Sequence, residues 1–200
     1  GNDRTHEHVI RRELRTLPAE KFSRSDIIRS QREIMNLNYF NPEALGINTP
    51  VNPERGTVDI EYQVEEKPSD QLELSAGWGG RSRVIGTLGV AFNNFSLRNI
   101  FNKEAWKPLP QGDGQRLSLR AQTNGDFFQS YNASFTEPWL GGKKPTSFSV
   151  AGFFNKFAFG RQGTSTFQRL RIIQGTVSLG TRLKWPDDNF VSRTALNLQT

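Results

Sequence analysis

The chain has no cysteine among its 200 residues. It therefore cannot form a disulfide, supply a thiolate nucleophile or bind a metal through cysteine. Histidine is also scarce, because His6 and His8 are the two present. They are two positions apart and do not share a helix face, so a solvated helix start is favoured over a metal site. Without a catalytic set of acids, bases or nucleophiles, the sequence predicts neither an enzyme nor a metal-binding site.

Long hydrophobic runs are absent as well. No stretch approaches the roughly 20 consecutive apolar residues that a transmembrane helix requires. The chain opens with polar residues, and no apolar signal-peptide core follows them. A mean hydropathy of -0.61 is typical of a soluble protein. It does not exclude a β-barrel, however, because the strands of a barrel are apolar on one side alone.

Charge and aromatic residues divide the sequence into two parts. Residues 1–70 hold 10 Lys+Arg and 13 Asp+Glu, whereas residues 71–200 hold 16 and 7. The second part also contains 18 aromatic residues and 15 glycines, against 4 and 3 in the first part. Because composition changes so sharply, the sequence predicts two domains, 1–69 and 70–200.

The first domain is predicted to be α+β. Thr5 is expected to cap a short helix over 6–14, and Ser23, followed three residues later by an aspartate, is expected to cap a second helix. A weaker strand is expected over 44–49. The run 57–67 alternates apolar with mostly acidic residues, which is typical of a half-buried strand with one solvated side. Its apolar members are Val58, Ile60, Tyr62 and Val64.

The second domain is predicted to be a β-sheet of about seven strands. Apolar residues recur with a period of two, and most runs span about 9–11 residues, the length that crosses a bilayer at a tilt. The Asn-Gly pair at 124–125 is a strong hairpin signal. Residues 158–170 are polar and predict an irregular connection, and the Trp-Pro-Asp-Asp run at 185–188 predicts a further turn.

The stretch SYNASFTE is unusual for a soluble strand. Tyr131, Ala133 and Phe135 alternate with small uncharged polar residues rather than with lysine or glutamate. This alternation favours lipid on the apolar side and a wet lumen on the other. Phe148 and Val150 of the next run are assigned to the same lipid-facing set. Because a lipid-exposed sheet must close to pair its backbone groups, we expect further strands outside these 200 residues.

Two further motifs carry little chemistry. The glycine-rich stretch GWGGRSRVIG lacks the lysine and hydroxyl residue of a phosphate loop and lies between predicted strands, so local twist is the favoured interpretation. Glu137 ends a predicted strand with no paired acid or base near it in sequence, so we assign it no catalytic role.

Several segments resemble BamA-type proteins of the Omp85 superfamily. GNDRTHEHVIRREL, FSRSDIIRSQREIMNLNYF and GTVDIEYQVEEK are similar to the last POTRA domain of that family, which runs β-α-α-β-β, without its first strand. LELSAGWGG, NNFSLRNIF and SYNASFTEPWLGGKKPTSFSVAGFF are similar to the first barrel strands. The resemblance therefore implies an α+β POTRA domain over 1–69 and the N-terminal part of an antiparallel transmembrane β-barrel over 70–200.

The resemblance also implies a function. Such a factor folds and inserts other barrel proteins in the outer membrane of a Gram-negative bacterium, with its POTRA domain in the periplasm and no cofactor. In the family, the first barrel strand pairs weakly with the last and forms a lateral gate. That strand corresponds to about residues 72–80, and its exposed edge could template an incoming strand. The candidate gate residues are Leu72, Leu74, Ser75, Ala76, Gly77 and Trp78.

The implied partners are unfolded outer-membrane protein clients, accessory lipoproteins of an assembly complex, and outer-membrane lipid with lipopolysaccharide, but no nucleic acid. The candidate accessory-protein surface is Arg11, Arg12 and Glu13. Three alternatives stay open: a TamA-like or two-partner-secretion translocation pore, a passive porin or receptor barrel, and a soluble β-sandwich binding protein. The POTRA-like segment argues against a porin, which needs no such module.

Overall fold

The structure is a computed structural model that describes residues 2–79, 83–106, 109–125, 127–160, 166–183, 185 and 190–200, without the side chains of residues 79, 83 and 105. They form two compact units. The first unit is Gly1–Ser69 with Asn94–Gly114, and the second unit is Asp70–Asn93 with Gln115–Thr200. Residues 94–114, assigned from sequence to the barrel, thus pack with the first unit. No helix in the described ranges is long and apolar enough to cross a bilayer.

The described part of the first unit contains two α-helices and two small strand pairs. The helices are α1, Glu7–Arg11, and α2, Arg24–Asn36. The strands are β1, Gly46–Asn48; β2, Val51–Asn52; β3, Thr57–Val58; and β4, Glu61–Gln63. β1 pairs antiparallel with β4, and β2 pairs antiparallel with β3. Short 3-10 helices cover Pro42–Ala44, Arg98–Phe101 and Lys103–Ala105.

The two helices begin in different ways. Ser23 caps α2 as predicted, because its side-chain oxygen accepts a hydrogen bond from the backbone N–H three residues later at 3.3 Å. The prediction for Thr5 is wrong: His6 occupies the cap position of α1 and makes no side-chain capping bond. The Thr5 hydroxyl is engaged elsewhere, since it accepts a hydrogen bond from Asn94 at 2.9 Å. That bond ties the 94–114 segment to the start of α1.

The core of the first unit lies between the two helices and the β1–β4 strand pair. Apolar residues at helical spacing give α1 and α2 one buried side each. The buried residues of this core are Val9, Ile10, Ile34, Tyr39, Phe40 and Val64. The alternation predicted over 57–67 is confirmed, since its four apolar residues are buried or half-buried and those between them are exposed. The predicted single strand is interrupted, however, between β3 and β4.

The described residues of the second unit form a seven-stranded sheet in which each strand lies beside its neighbour in sequence. The strands are β5, Gln71–Gly79; β6, Arg83–Phe95; β7, Gln115–Asn124; β8, Phe128–Glu137; β9, Thr146–Phe159; β10, Gln168–Arg182; and β11, Val191–Gln199. β5 pairs antiparallel with β6, and β7 to β11 pair antiparallel in succession. The prediction of about seven strands is confirmed.

The Asn-Gly hairpin between β7 and β8 is confirmed. Gly125 has a φ of +58°, a left-handed conformation that glycine adopts without steric cost. Asn124 on one side of the turn pairs with Phe128 on the other. Of the predicted Trp-Pro-Asp-Asp turn, Trp185 alone lies within the described residues.

The irregular connection predicted over 158–170 is shorter than expected. β9 continues to Phe159, and β10 begins at Gln168, which is its cross-strand partner. The Phe159 ring also packs edge-to-face on Phe127, with ring centroids 5.5 Å apart. Backbone pairing and aromatic contacts therefore extend both strands into the region that the sequence predicts to be a loop.

Candidate functional site

β5, the strand predicted to act as a gate, is exposed along its described length. Leu74 and Trp78 expose 79% and 75% of their surface. Within the described residues β5 pairs with β6 alone, from Gln71 opposite Ala91 to Gly79 opposite Arg83. Its second edge therefore offers backbone N–H and C=O groups that no strand in this part of the chain takes up. The last residue of the predicted gate strand, Gly80, lies outside the described residues.

The six candidate gate residues divide between the two faces of β5. Alternation along the strand places Leu72, Leu74, Ala76 and Trp78 on one face. Ser75 and Gly77 lie on the other face, opposite Thr87 and Ile85 of β6. A Cβ added at Gly77 would meet no atom within 4 Å, so the space beside this residue is open.

One ion pair ties β5 to the rest of the sheet. The Arg120 guanidinium of β7 donates to the Glu73 carboxylate of β5 at 3.0 Å. It reaches over β6 at Gly89, where an added Cβ would lie 3.1 Å from Glu73 Oε2 and 3.6 Å from Arg120 Cγ. Both charged side chains are about half exposed, so the pair contributes about 0.2–1 kcal/mol. The pair therefore adds little to the free energy that holds β5 in the sheet.

The five residues predicted to face lipid share one face of the sheet, here called the apolar face. Directly opposed residues of antiparallel strands project to the same side. The pairs on this face are Tyr131–Phe154, Ala133–Gly152, Phe135–Val150 and Glu137–Phe148. A shallow depression in the face is lined by side chains of five neighbouring strands, including Leu88, Leu119 and Ile173. The apolar surface is therefore continuous from β6 to β10.

The opposite face, here called the polar face, is more enclosed. Its small side chains at Thr87, Ser130 and Ser178 are buried. On the apolar face Tyr131 exposes 49% of its surface and Val177 exposes 42%. These small polar side chains are therefore buried, while these apolar side chains are exposed to the surroundings. A soluble sheet packed on a core shows the reverse.

Glu137 forms hydrogen bonds at the turn that follows β8. The Trp139 backbone N–H donates to Glu137 Oε1 at 3.0 Å, and Gln115 Nε2 donates to Oε2 at 2.7 Å. Both carboxylate oxygens are therefore used within the fold.

The three residues of the candidate accessory-protein surface differ in exposure. Arg11 is exposed and pairs with Glu7 one helical turn earlier at 2.7 Å. The side chains of Arg12 and Glu13 are largely buried, and Arg12 Nη2 donates to the Asp113 carbonyl at 3.4 Å. Arg11 is therefore the member of the set that is accessible to a partner.

Glu66 anchors the backbone that leads into α1. Its carboxylate accepts hydrogen bonds from the N–H groups of Asp3, Arg4 and Thr5 at 2.8, 2.9 and 2.6 Å. Burial acts to raise the pKa of Glu66, but a hydrogen bond from the Thr5 side chain and the three backbone bonds favour the ionised form more strongly, so the pKa lies below its ordinary value. The resulting stability is present above the unfolded-state pKa and is lost as the pH falls through the lower folded-state pKa.

Replacing Glu66 with glutamine is expected to weaken this anchor by about 1–2 kcal/mol, because an amide nitrogen cannot accept the N–H donors that a carboxylate oxygen serves. Amide hydrogen exchange over residues 3–5 should then quicken by about tenfold. The matched control is Glu65→Gln, which makes the same charge change at an exposed neighbour. Equal exchange rates in the two variants would contradict the anchoring role.

The 94–114 segment is joined to the start of α1 by a backbone hydrogen bond, because the His6 N–H donates to the Gly112 carbonyl at 2.9 Å. Within the segment, the Gly114 N–H donates to the Asn94 side-chain oxygen at 2.9 Å. Gly112 and Gly114 have φ values of +126° and +70°, in the region that favours glycine. The two glycines therefore let the chain turn sharply on either side of the residue between them.

That residue, Asp113, faces two histidines. Its Oδ1 lies 2.9 Å from His6 Nδ1 and 3.7 Å from His8 Nε2, and its Oδ2 accepts a hydrogen bond from Ser96 at 2.6 Å. The Asp113 side chain is 9% exposed, whereas both imidazoles are about half exposed. Within the described ranges, these three residues are the one group whose metal-ligand atoms all lie within 4.8 Å of one another.

Neighbouring charges act on this cluster. Burial acts to raise the pKa of Asp113, but hydrogen bonds from Ser96 and His6 and the charges of both histidines outweigh it and hold the pKa below its ordinary value. Desolvation lowers the pKa of His8, opposed by Asp113 and reinforced by Arg12, His6 and Arg98. Near neutral pH these shifts favour a carboxylate beside a neutral His8 imidazole.

Sequence reasoning missed this cluster for a local reason. The spacing argument assumes that both histidines are helical, but His6 is the cap residue, with an extended conformation of φ -66° and ψ 142°. The rings of His6 and His8 consequently stack on one side, with centroids 5.7 Å apart. The third member, Asp113, is 107 positions away in sequence from His6.

Comparison with known proteins shows which proteins the chain is similar to. Residues 1–67 match the POTRA family profile, described as a surface antigen variable number repeat. Outer membrane protein assembly factor BamA of Neisseria meningitidis serogroup B is 29% identical over 143 residues, which cover 70% of this chain and 15% of that protein. The protein of the same name from Neorickettsia risticii is 31% identical over 99 residues, covering 47% and 12%. Residues 1–67 therefore belong to the POTRA family, and the chain resembles BamA-type proteins of the Omp85 superfamily.

The fold agrees with that resemblance. The crystal structure of BamA from Haemophilus ducreyi lacking POTRA domains 1–3 matches it with a TM-score of 0.69, covering 100% of this chain and 34% of that one. At 20% identity the likeness concerns the fold alone. The prediction of a POTRA domain followed by antiparallel β-barrel strands is confirmed. The chain spans 15% and 12% of the two BamA relatives.

Proposed function

We propose that this chain is part of an outer-membrane protein assembly factor, and that β5 templates the strands of client barrel proteins. The observation that carries the proposal is the order of the chain, in which a POTRA match over 1–67 is followed directly by β5, the first strand of the antiparallel sheet. The site of action is the outer membrane of a Gram-negative bacterium, with the POTRA domain in the periplasm.

The mechanism follows from backbone chemistry. A free strand edge offers N–H and C=O groups at a fixed spacing, so it can pair with an extended segment of almost any sequence. Side-chain packing would select particular clients, but Gly77 adds none. An edge that binds through its backbone and releases readily suits a factor that handles many clients. This function requires neither bond-making chemistry nor a cofactor.

The apolar face supports a place in the bilayer. Tyr131, Phe148 and Val150 belong to a continuous apolar surface, while the opposite face encloses small polar side chains. In a barrel, the first face would contact lipid and lipopolysaccharide and the second would line a wet lumen. Arg11, exposed on α1, is the proposed contact for an accessory lipoprotein.

A single cysteine at Ser75 or Gly77 is expected to crosslink to client strands during assembly. The chain has no native cysteine, so each variant carries one thiol in this region. The matched control is a cysteine at Thr87, which lies directly opposite Ser75 but in β6, between two other strands. It should capture no client.

Two results of this experiment would count against templating. Capture of the protein's own last strand and of no client would make β5 a closed seam. Equal capture at Thr87 would indicate nonspecific contact. The POTRA match disfavours the passive porin. A translocation pore of the same superfamily would let a client pass without the crosslinks that strand pairing with β5 produces.

A further inference from the structure

We propose that His6, His8 and Asp113 form a binding site for a divalent transition metal, with Zn²⁺ as the ion that fits best, and that the ion joins the 94–114 segment to the start of α1. This proposal is independent of the assembly function. Two imidazole nitrogens and one carboxylate oxygen are a donor set found in zinc sites, and three protein ligands leave a fourth position for water.

The distances suit a tetrahedral ion. Zinc bonds of about 2.0–2.2 Å place neighbouring ligand atoms about 3.3–3.5 Å apart. The observed separations of Asp113 Oδ1 from His6 Nδ1 and from His8 Nε2 are 2.9 and 3.7 Å, and all three ligand atoms lie within 4.8 Å of one another. Small side-chain rotations would therefore admit the ion, because both imidazoles are about half exposed and free to adjust.

The carboxylate is already oriented. Ser96 donates to Asp113 Oδ2 at 2.6 Å, leaving Oδ1 to face the two rings. Such an outer hydrogen bond fixes the ligand direction and raises metal affinity. The backbone is fixed as well, since a Cβ at Gly112 would lie 2.9 Å from His6 Nδ1 and a Cβ at Gly114 would lie 2.8 Å from Arg12 Nη2.

The surrounding charges set limits on the affinity. Arg12 donates to the Asp113 main-chain carbonyl at 3.4 Å. The positive charges of Arg12 and Arg98 act on His8 and disfavour a further cation beside it. A hydrogen-bonded His6–Asp113 pair without metal is the competing account.

The test is a titration of the purified full protein, free of any histidine tag, in detergent. Co²⁺ is the spectroscopic probe, because tetrahedral coordination gives intense visible bands, and Zn²⁺ is then used to displace it. The wild type is expected to show one saturable site that is lost in His8→Ala. Removing the outer hydrogen bond in Ser96→Ala should weaken binding by about 10–100-fold. Binding of Zn²⁺ should also slow amide hydrogen exchange at His6 and Gly112.

The matched control is Glu7→Gln, which removes an exposed acid between the two histidines and should leave binding unchanged. His8 is the preferred variant because its exposed ring supports little of the fold, so loss of binding there cannot be attributed to unfolding. Equal binding by the wild type and His8→Ala would overturn the proposal. So would the absence of tetrahedral Co²⁺ bands in the wild type, which would leave the His6–Asp113 hydrogen bond as the whole account.

Discussion

Replacing Tyr131 with arginine is expected to destabilise folding into a bilayer by roughly 2–4 kcal/mol. Tyr131 is the fourth residue of the ten-residue strand β8, so in a spanning strand it lies near the middle of the membrane. It belongs to the apolar face, and its ring packs beside Phe154 with centroids 6.2 Å apart. A charge at this position would lose its hydration in lipid. Urea titration of the protein refolded into lipid vesicles measures the change.

The control for Tyr131→Arg lies one residue away. Asn132 projects to the polar face, so Asn132→Arg should be tolerated in a wet lumen. Asn132 lies opposite Arg120, however, and like charges on opposed residues repel. Ser134→Arg is therefore the cleaner control, since Ser134 lies opposite Ser118 on the same face. Similar penalties for Tyr131→Arg and Ser134→Arg would contradict the assignment of the faces.

The second large effect is expected for Gly112→Ala, which should destabilise the first unit by about 3 kcal/mol. Two costs combine. A φ of +126° is strained for any residue with a Cβ, at about 1–3 kcal/mol. The added Cβ would also lie 2.9 Å from the Arg4 carbonyl and 2.8 Å from His6 Cε1, and overpacking costs about 1–3 kcal/mol.

The measurement for Gly112→Ala is hydrogen exchange at the His6 amide, which donates to the Gly112 carbonyl. It should quicken as the 94–114 segment detaches. The matched control is Gly56→Ala, also in the first unit, where φ is +62° and an added Cβ meets nothing within 4 Å. That variant reports backbone strain without a clash. If both variants exchange alike at His6, the segment is not held by the contact described.

The strands could be predicted because their signal is local. In β8 and β9 the side-chain period of two is visible in the sequence, and backbone pairing then fixes which residues share a face. The helix cap at Ser23 could be predicted for the same reason, since a capping residue bonds to an amide three positions away in sequence. The ends of β9 and β10 were missed because pairing with a neighbouring strand continues through polar residues.

The contacts of 94–114 could not be predicted in the same way. The sequence QGDG is typical of a surface turn, and nothing within it indicates that Asp113 will face His6. Thr5 was expected to cap a helix, whereas its hydroxyl is used by Asn94. Both errors have one cause: a segment far along the chain competes for side chains that local rules assign to their neighbours.

Client folding tests the central claim most directly. The full protein is reconstituted in lipid vesicles, an unfolded outer-membrane barrel protein is added, and its rate of folding is measured against vesicles alone. We predict that the protein accelerates folding, and that a disulfide closing β5 onto the last strand of the barrel abolishes the acceleration while the barrel stays folded. A protein that conducts ions or passes the client but leaves its folding rate unchanged, with or without that disulfide, would contradict the account.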